Sequence, residues 1–61
     1  MRNLKSATLG KYLFTLSYDD VTTTFWVNEH VANSILPYRV SFSLLSEAER
    51  FFDLLVEKAI N

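Results

Sequence analysis

The chain of 61 residues has no cysteine, one glycine, one proline and one histidine. Without cysteine there is no disulfide framework and no thiolate metal site. A single glycine excludes the glycine-rich loops that cradle phosphates. The one imidazole, His30 beside Glu29, lacks a second ligand at helical or hairpin spacing, so it does not define a metal centre, and a solvated connector histidine accounts for it. Asp19 and Asp20 fail as an acid/base couple because adjacent side chains on a strand end point apart, and a turn accounts for them. No catalysis and no cofactor are expected. Neither sign of charge is in excess: six Lys and Arg stand against seven Asp and Glu, a net of −1, and no global field draws the chain to phosphate. No apolar run approaches the roughly 18 residues of a membrane span, and the start lacks an apolar signal region, so a cytoplasmic protein with no membrane partner is expected.

What is present is apolar and aromatic side chain, 49% and 15% of the residues, which places the chain with folding globular sequences. One α+β domain over residues 1–61 is expected. A chain this short buries only about 60% of the surface it exposes when unfolded, so a homodimer that hides further apolar area is one expectation.

The last third sets the architecture. Ser46 followed by Glu49 has the spacing of a capping box, predicting a helix start there. From Ala48 the positions Phe51, Phe52, Leu55, Val56 and Ala59 recur at three-and-four spacing, the apolar stripe of an amphipathic helix ending near Ile60. Before it, Tyr38, Val40, Phe42 and Leu44 alternate with Arg39, Ser41, Ser43 and Leu45, the period of a half-buried strand. Tyr12, Phe14, Leu16 and Tyr18 give a second strand. Asp19 and Asp20 suggest a tight hairpin leading into a return strand over Val21–Asn28, rich in β-branched and aromatic residues. Residues 29–37 read as a connector in which Asn28 caps a short helical turn that Pro37 stops. Residues 1–10 fit either a mobile arm or an added edge strand. The expected fold is a three-stranded antiparallel meander with the C-terminal helix packed on one face.

In that fold the helix side of the sheet collects Tyr12, Phe14, Leu16, Val21, Phe25, Val27, Tyr38, Val40, Phe42 and Leu44. The other side receives Lys11, Leu13, Thr15, Thr22, Thr24, Trp26, Arg39, Ser41 and Ser43. One helix cannot cover both faces, so Trp26 is predicted to lie away from it. Trp26 is then either a recognition anchor or a residue covered by the arm or the connector. The solvent side of the helix carries Glu49, Asp53 and Glu57 at i, i+4 and i+8, a mutually repelling row that reads as an acidic stripe for a basic partner or as an ordinary solvated face relieved by Arg50.

Phe42 followed by Ser46, Glu47, Ala48, Glu49, Arg50, Phe51 and Phe52, at the end of an order of strand, strand, strand, helix, resembles the small DNA-binding modules of the integrase-arm type. The resemblance covers mainly Tyr38 to Ile60. It implies that the sheet face opposite the helix lies in the major groove, with Lys11, Arg39, Trp26 and the Thr and Ser row as reader. The departure is charge, since such a face carries several Arg and Lys and here the sheet offers two. Size, neutrality and surplus aromatic area favour instead a protein-interaction module, an accessory or inhibitory protein of the sort phages and other mobile elements encode. Its expected partner-binding residues are Trp26, Leu13, Lys11 and Arg39 on the sheet and Glu49, Asp53 and Glu57 on the helix.

Overall fold

Four strands and one helix follow one another in the computed structural model, which describes residues 1–61. They are β1 (Arg2–Leu9), β2 (Tyr12–Asp19), β3 (Thr24–Val31), β4 (Tyr38–Phe42) and α1 (Leu45–Ile60). The strands form one antiparallel sheet in the order β1-β2-β3-β4, and α1 packs across one face, chiefly over β2 and β3. The α+β class, the meander and the C-terminal helix agree with expectation; the strand count does not. Residues 2–9 are a complete edge strand, making four strands rather than three. Their period-2 signal is broken because the β1–β2 register shifts between Asn3 and Lys5. That extra residue puts Leu4 against the core together with Ala7 and Leu9, although Leu4 has the wrong parity for a regular strand. With its carboxamide nitrogen turned toward the chain, Asn3 donates to the Leu16 and Lys5 carbonyls at 3.2 and 3.0 Å, holding the irregularity.

The β1–β2 hairpin closes through Gly10 and Lys11. Gly10 has φ +59° and Lys11 does not share a positive φ, the pattern of a two-residue turn with glycine at its first central position. The β2–β3 connection is longer than the tight turn expected at Asp19 and Asp20. Asp19 pairs with Thr24, leaving a four-residue loop in which the Asp19 carboxylate accepts from the Val21 amide at 3.0 Å and Thr23 takes φ 50°. Val21 is therefore not in the core but 88% exposed at the loop tip. A two-residue turn of the favoured hand calls for glycine, which this connection lacks, and the four-residue loop places its positive φ on Thr23, a β-branched residue for which that region is costly.

β3 runs on through Glu29, His30 and Val31, so the short helical turn expected there does not form. The following loop turns at Asn33, φ 73°, and is fastened by Ala32 N–H donating to the Lys11 carbonyl at 2.8 Å and Ser34 N–H to the Val31 carbonyl at 2.9 Å. Helix α1 begins one residue ahead of Ser46, with Leu44 at the N-cap and no side-chain capping bond. The capping box is thus not made, because Ser46 already lies inside the first helical turn, where its hydroxyl cannot serve as the cap.

Phe14, Leu16, Val27, Ala48 and Phe52 form the buried core, with Phe25, Phe42, Phe51, Leu55, Val56 and Ala59 packed around it. Each large side chain so buried contributes about 1.5–3 kcal/mol. Ala48 lets α1 approach the sheet, and Phe42 meets Phe51 with ring centroids 5.4 Å apart. Two residues assigned to this face by alternation, Tyr38 and Leu44, are 55% and 58% exposed. Tyr38 opens β4 on the rim of a groove beside α1, and Leu44 lies beyond the end of β4, at the N-cap of α1.

Candidate functional site

The register places the uncovered face residue by residue. Ser17, Trp26 and Ser41 share one row, Thr15, Asn28 and Arg39 the next, and Leu13 and His30 a third. β1 extends the same surface sideways, setting Asn3 beside Ser17, Ser6 beside Thr15 and Thr8 beside Leu13. Residues 1–9 therefore widen the face on which Trp26 lies instead of folding over it. Trp26 is half-buried by its neighbours, and Ser17, directly opposite it, is 8% exposed although no second layer covers this side.

A chain of side-chain contacts fixes the centre of the face. The Asn28 amide donates to Thr15 Oγ1 at 3.2 Å, and its Oδ1 accepts from Arg39 Nε at 3.1 Å. Held by that bond, the Arg39 guanidinium lies 4.6 Å from the Trp26 ring, within cation–π range. Three strands thus share one ordered unit: Thr15, Asn28 and Trp26, Arg39. An indole and a guanidinium stacked before any ligand arrives have already lost rotamer freedom that binding would otherwise cost. Around them the surface is small and polar, apart from Leu13, 40% exposed in the row of His30. His30 Nε2 lies 3.3 Å from the Ser34 carbonyl at the end of β3.

The other candidate residues fall elsewhere. Lys11 occupies the β1–β2 turn, its ammonium 5.8 Å from the Tyr12 ring, and Tyr12 is on the helix side of the sheet. Lys11 thus lies apart from the Trp26–Arg39 pair. Glu49, Asp53 and Glu57 are on α1, across the sheet from Trp26. Lys5, not Arg50, relieves that acidic row, its ammonium 3.2 Å from Asp53 Oδ1 and 4.9 Å from the Phe52 ring centroid. The ion pair is exposed, so it contributes only about 0–1 kcal/mol. The seven candidates therefore form two surfaces on opposite sides of the molecule, with Lys11 at the rim.

Sequence reasoning did not find Asn28, whose bonds reach one residue on β2 and another on β4. It also missed a groove of ≈ 650 Å³ between α1 and the sheet, lined by Tyr12, Tyr38, Phe51, Leu55 and Ala59 together with Glu29 and Lys58. Glu29 has the parity of Phe25 and Val27, a carboxylate on the apolar side, and that was the available signal. No three His, Asp or Glu side chains are placed to share a metal ion. No helix is long and apolar enough to cross a membrane. Comparison with protein-family profiles, with curated protein sequences and with solved structures finds no match to this chain. The integrase-arm resemblance rested on an order of three strands and a helix; the fourth strand departs from it.

Proposed function

We propose that this protein is a non-enzymatic protein-interaction module, an accessory or inhibitory protein that occupies a partner protein's surface with its open sheet face. The observation that carries the reading is the Trp26–Arg39 stack, pre-ordered by Asn28 in the middle of a face that no other part of the chain covers. Trp and Arg dominate binding energy at protein interfaces when surrounded by neighbours that exclude water. The Ser, Thr and Asn side chains around them supply hydrogen bonds with little rotamer entropy to lose. Low charge on this face favours protein over nucleic acid: Arg39 is already engaged with Trp26 and Asn28, and few counterions would be released on contact with a phosphate backbone.

The test is affinity capture from the source cell with the native chain and with Trp26→Ala and Arg39→Ala, read by mass spectrometry and followed by titration of the captured protein. The expected result is one protein retained by the native chain and bound at least thirtyfold more weakly by Trp26→Ala, about 2 kcal/mol. Equal affinity of both variants for that protein refutes the surface. Micromolar binding to duplex DNA that weakens steeply with salt replaces the reading with DNA recognition.

A further inference from the structure

A sheet of order β1-β2-β3-β4 has two free edges, and this chain treats them differently. β1 is obstructed at its start as a pairing template: its ladder is irregular at Asn3–Lys5 before running regular from Lys5 to Leu9, and the Lys5 ammonium lies on the helix side, bound to Asp53. Irregularity and an inward-pointing charge are two ways in which sheet edges resist pairing. β4 carries neither. Its register with β3 runs unbroken from Tyr38 to Phe42, its helix-side residues are Tyr38, Val40 and Phe42, and its one charge, Arg39, points to the other face.

Five of the ten exposed large apolar residues lie in or next to β4. Ile35 (93% exposed), Leu36 (79%), Tyr38, Leu44 and Leu45 (41%) all fall within the 11 residues from Ile35 to Leu45. Along the sequence they mirror one another about Val40: Tyr38 and Phe42, at the ends of the strand, lie two residues either side, and in the segments that flank it Leu36 and Leu44 lie four and Ile35 and Leu45 five. Leu44 also holds the N-cap of α1 with extended backbone, φ −117° and ψ 134°, where a Ser or Asp would supply the missing cap bond. An apolar residue there forgoes helix stability and adds to the patch.

We propose that two copies of this chain join β4 to β4 in antiparallel fashion about a two-fold axis near Val40, making one eight-stranded sheet with both helices on the same side. A two-fold contact is self-complementary, so residue i meets j and j meets i. The mirror spacing supplies this: Leu36 of each copy approaches Leu44 of the other, Ile35 approaches Leu45, and Tyr38 meets Phe42. A strand from an unrelated protein imposes no such relation. Arg39 falls opposite Ser41 of the second copy, so like charges are not set face to face. At about 200 Å² for a fully exposed large side chain, the five residues leave roughly 600 Å² open per copy. Pairing two copies removes up to roughly 1,200 Å² from water, at the lower end of stable interfaces, and adds backbone hydrogen bonds along β4. The contact uses an edge and not the open face, so it stands independently of the role given to Trp26.

Sedimentation equilibrium on the full chain, over a wide micromolar range, tests this. The native chain is expected at twice the chain mass, and Leu36→Asp, in an exposed loop, is expected to weaken the dimer at least tenfold while its circular dichroism stays native. The decisive variant carries Leu36→Lys and Leu44→Glu in one chain. Within a copy the two positions lie beyond opposite ends of the five-residue strand Tyr38–Phe42, which alone spans about 13 Å at about 3.3 Å per residue, too far to pair, whereas across the axis the opposite charges meet. Recovery of the dimer, sensitive to salt, supports the mirrored register. A native chain that stays monomeric, a dimer indifferent to Leu36→Asp, or a double variant as monomeric as Leu36→Asp overturns the proposal.

Discussion

Removing the Phe52 ring tests the architecture most directly. Phe52 is 4% exposed and is one of the five side chains at the centre of the core, beneath the Lys5 ammonium. Phe52→Ala gives up the transfer energy of the ring and leaves a cavity between helix and sheet, a loss of about 3–5 kcal/mol. The contact with Lys5 adds about 0.5–1 kcal/mol. At about 0.05–0.15 kcal/mol per residue the whole domain has roughly 3–9 kcal/mol in hand, so this one change removes most of it. With a urea slope near 1 kcal/mol per M, the midpoint falls by about 3–5 M. Trp26 fluorescence reads the transition from the far side of the sheet, without contact to the mutated site. Protein concentration is held fixed, since a dimer gains stability with concentration. Should Phe52→Ala be unfolded in buffer, Phe52→Leu keeps most of the apolar volume and is expected to lose about 1–2 kcal/mol, which is measurable. Losses below about 1 kcal/mol for Phe52→Ala would remove the ring from the core and refute the packing of α1 on β2 and β3.

Three further outcomes are expected. Trp26→Ala loses about 1 kcal/mol of folding stability in a urea melt, because the indole is only half-buried and its partner Arg39 keeps its bond to Asn28. A loss as large as that of Phe52→Ala would make Trp26 a core residue. Gly10→Ala lowers stability by about 1 kcal/mol through backbone strain alone: the position has φ +59° and an added Cβ meets no atom within 4 Å, so a neutral result in thermal melts would contradict the turn geometry. Leu44→Asp places a capping carboxylate at the start of α1 and raises monomer stability by about 0.5–1 kcal/mol at neutral pH, measured at high dilution; a fall would mean that the helix does not start where it is described.

The helix, β2 and the faces of β3 and β4 were legible because their signals are periodic and survive errors at the ends. Trp26 follows Phe25 and precedes Val27, so it opposes the core wherever the strand is taken to begin. What misled was local: the run Val21 to Thr24 has β-forming side chains throughout, yet three of the four lie in a loop because the turn lacks glycine. β1 was ambiguous for a different reason, since one extra residue at Leu4 shifts the alternation and Lys5 puts a charge on the apolar side. Ser46 and Glu49 have the right spacing for a cap, and the helix simply starts one residue sooner. The two surfaces were legible as residue lists, but not their wiring. The Lys5–Asp53 and Arg39–Asn28 contacts join positions far apart in sequence, and only the register fixes them.

The irregular start of β1 has a consequence for stoichiometry. In the language of polymer chemistry, a unit with two reactive ends grows into chains, whereas a unit with one can only pair. A sheet protein with both edges open is bifunctional and lengthens without limit. In the β4-to-β4 pairing proposed above, the irregularity at Asn3, Leu4 and Lys5 disfavours growth from the other edge, so each copy would have a functionality of one and growth would terminate at two. In that assembly those three residues would act as a chain stopper, making an apolar β4 edge compatible with a discrete particle.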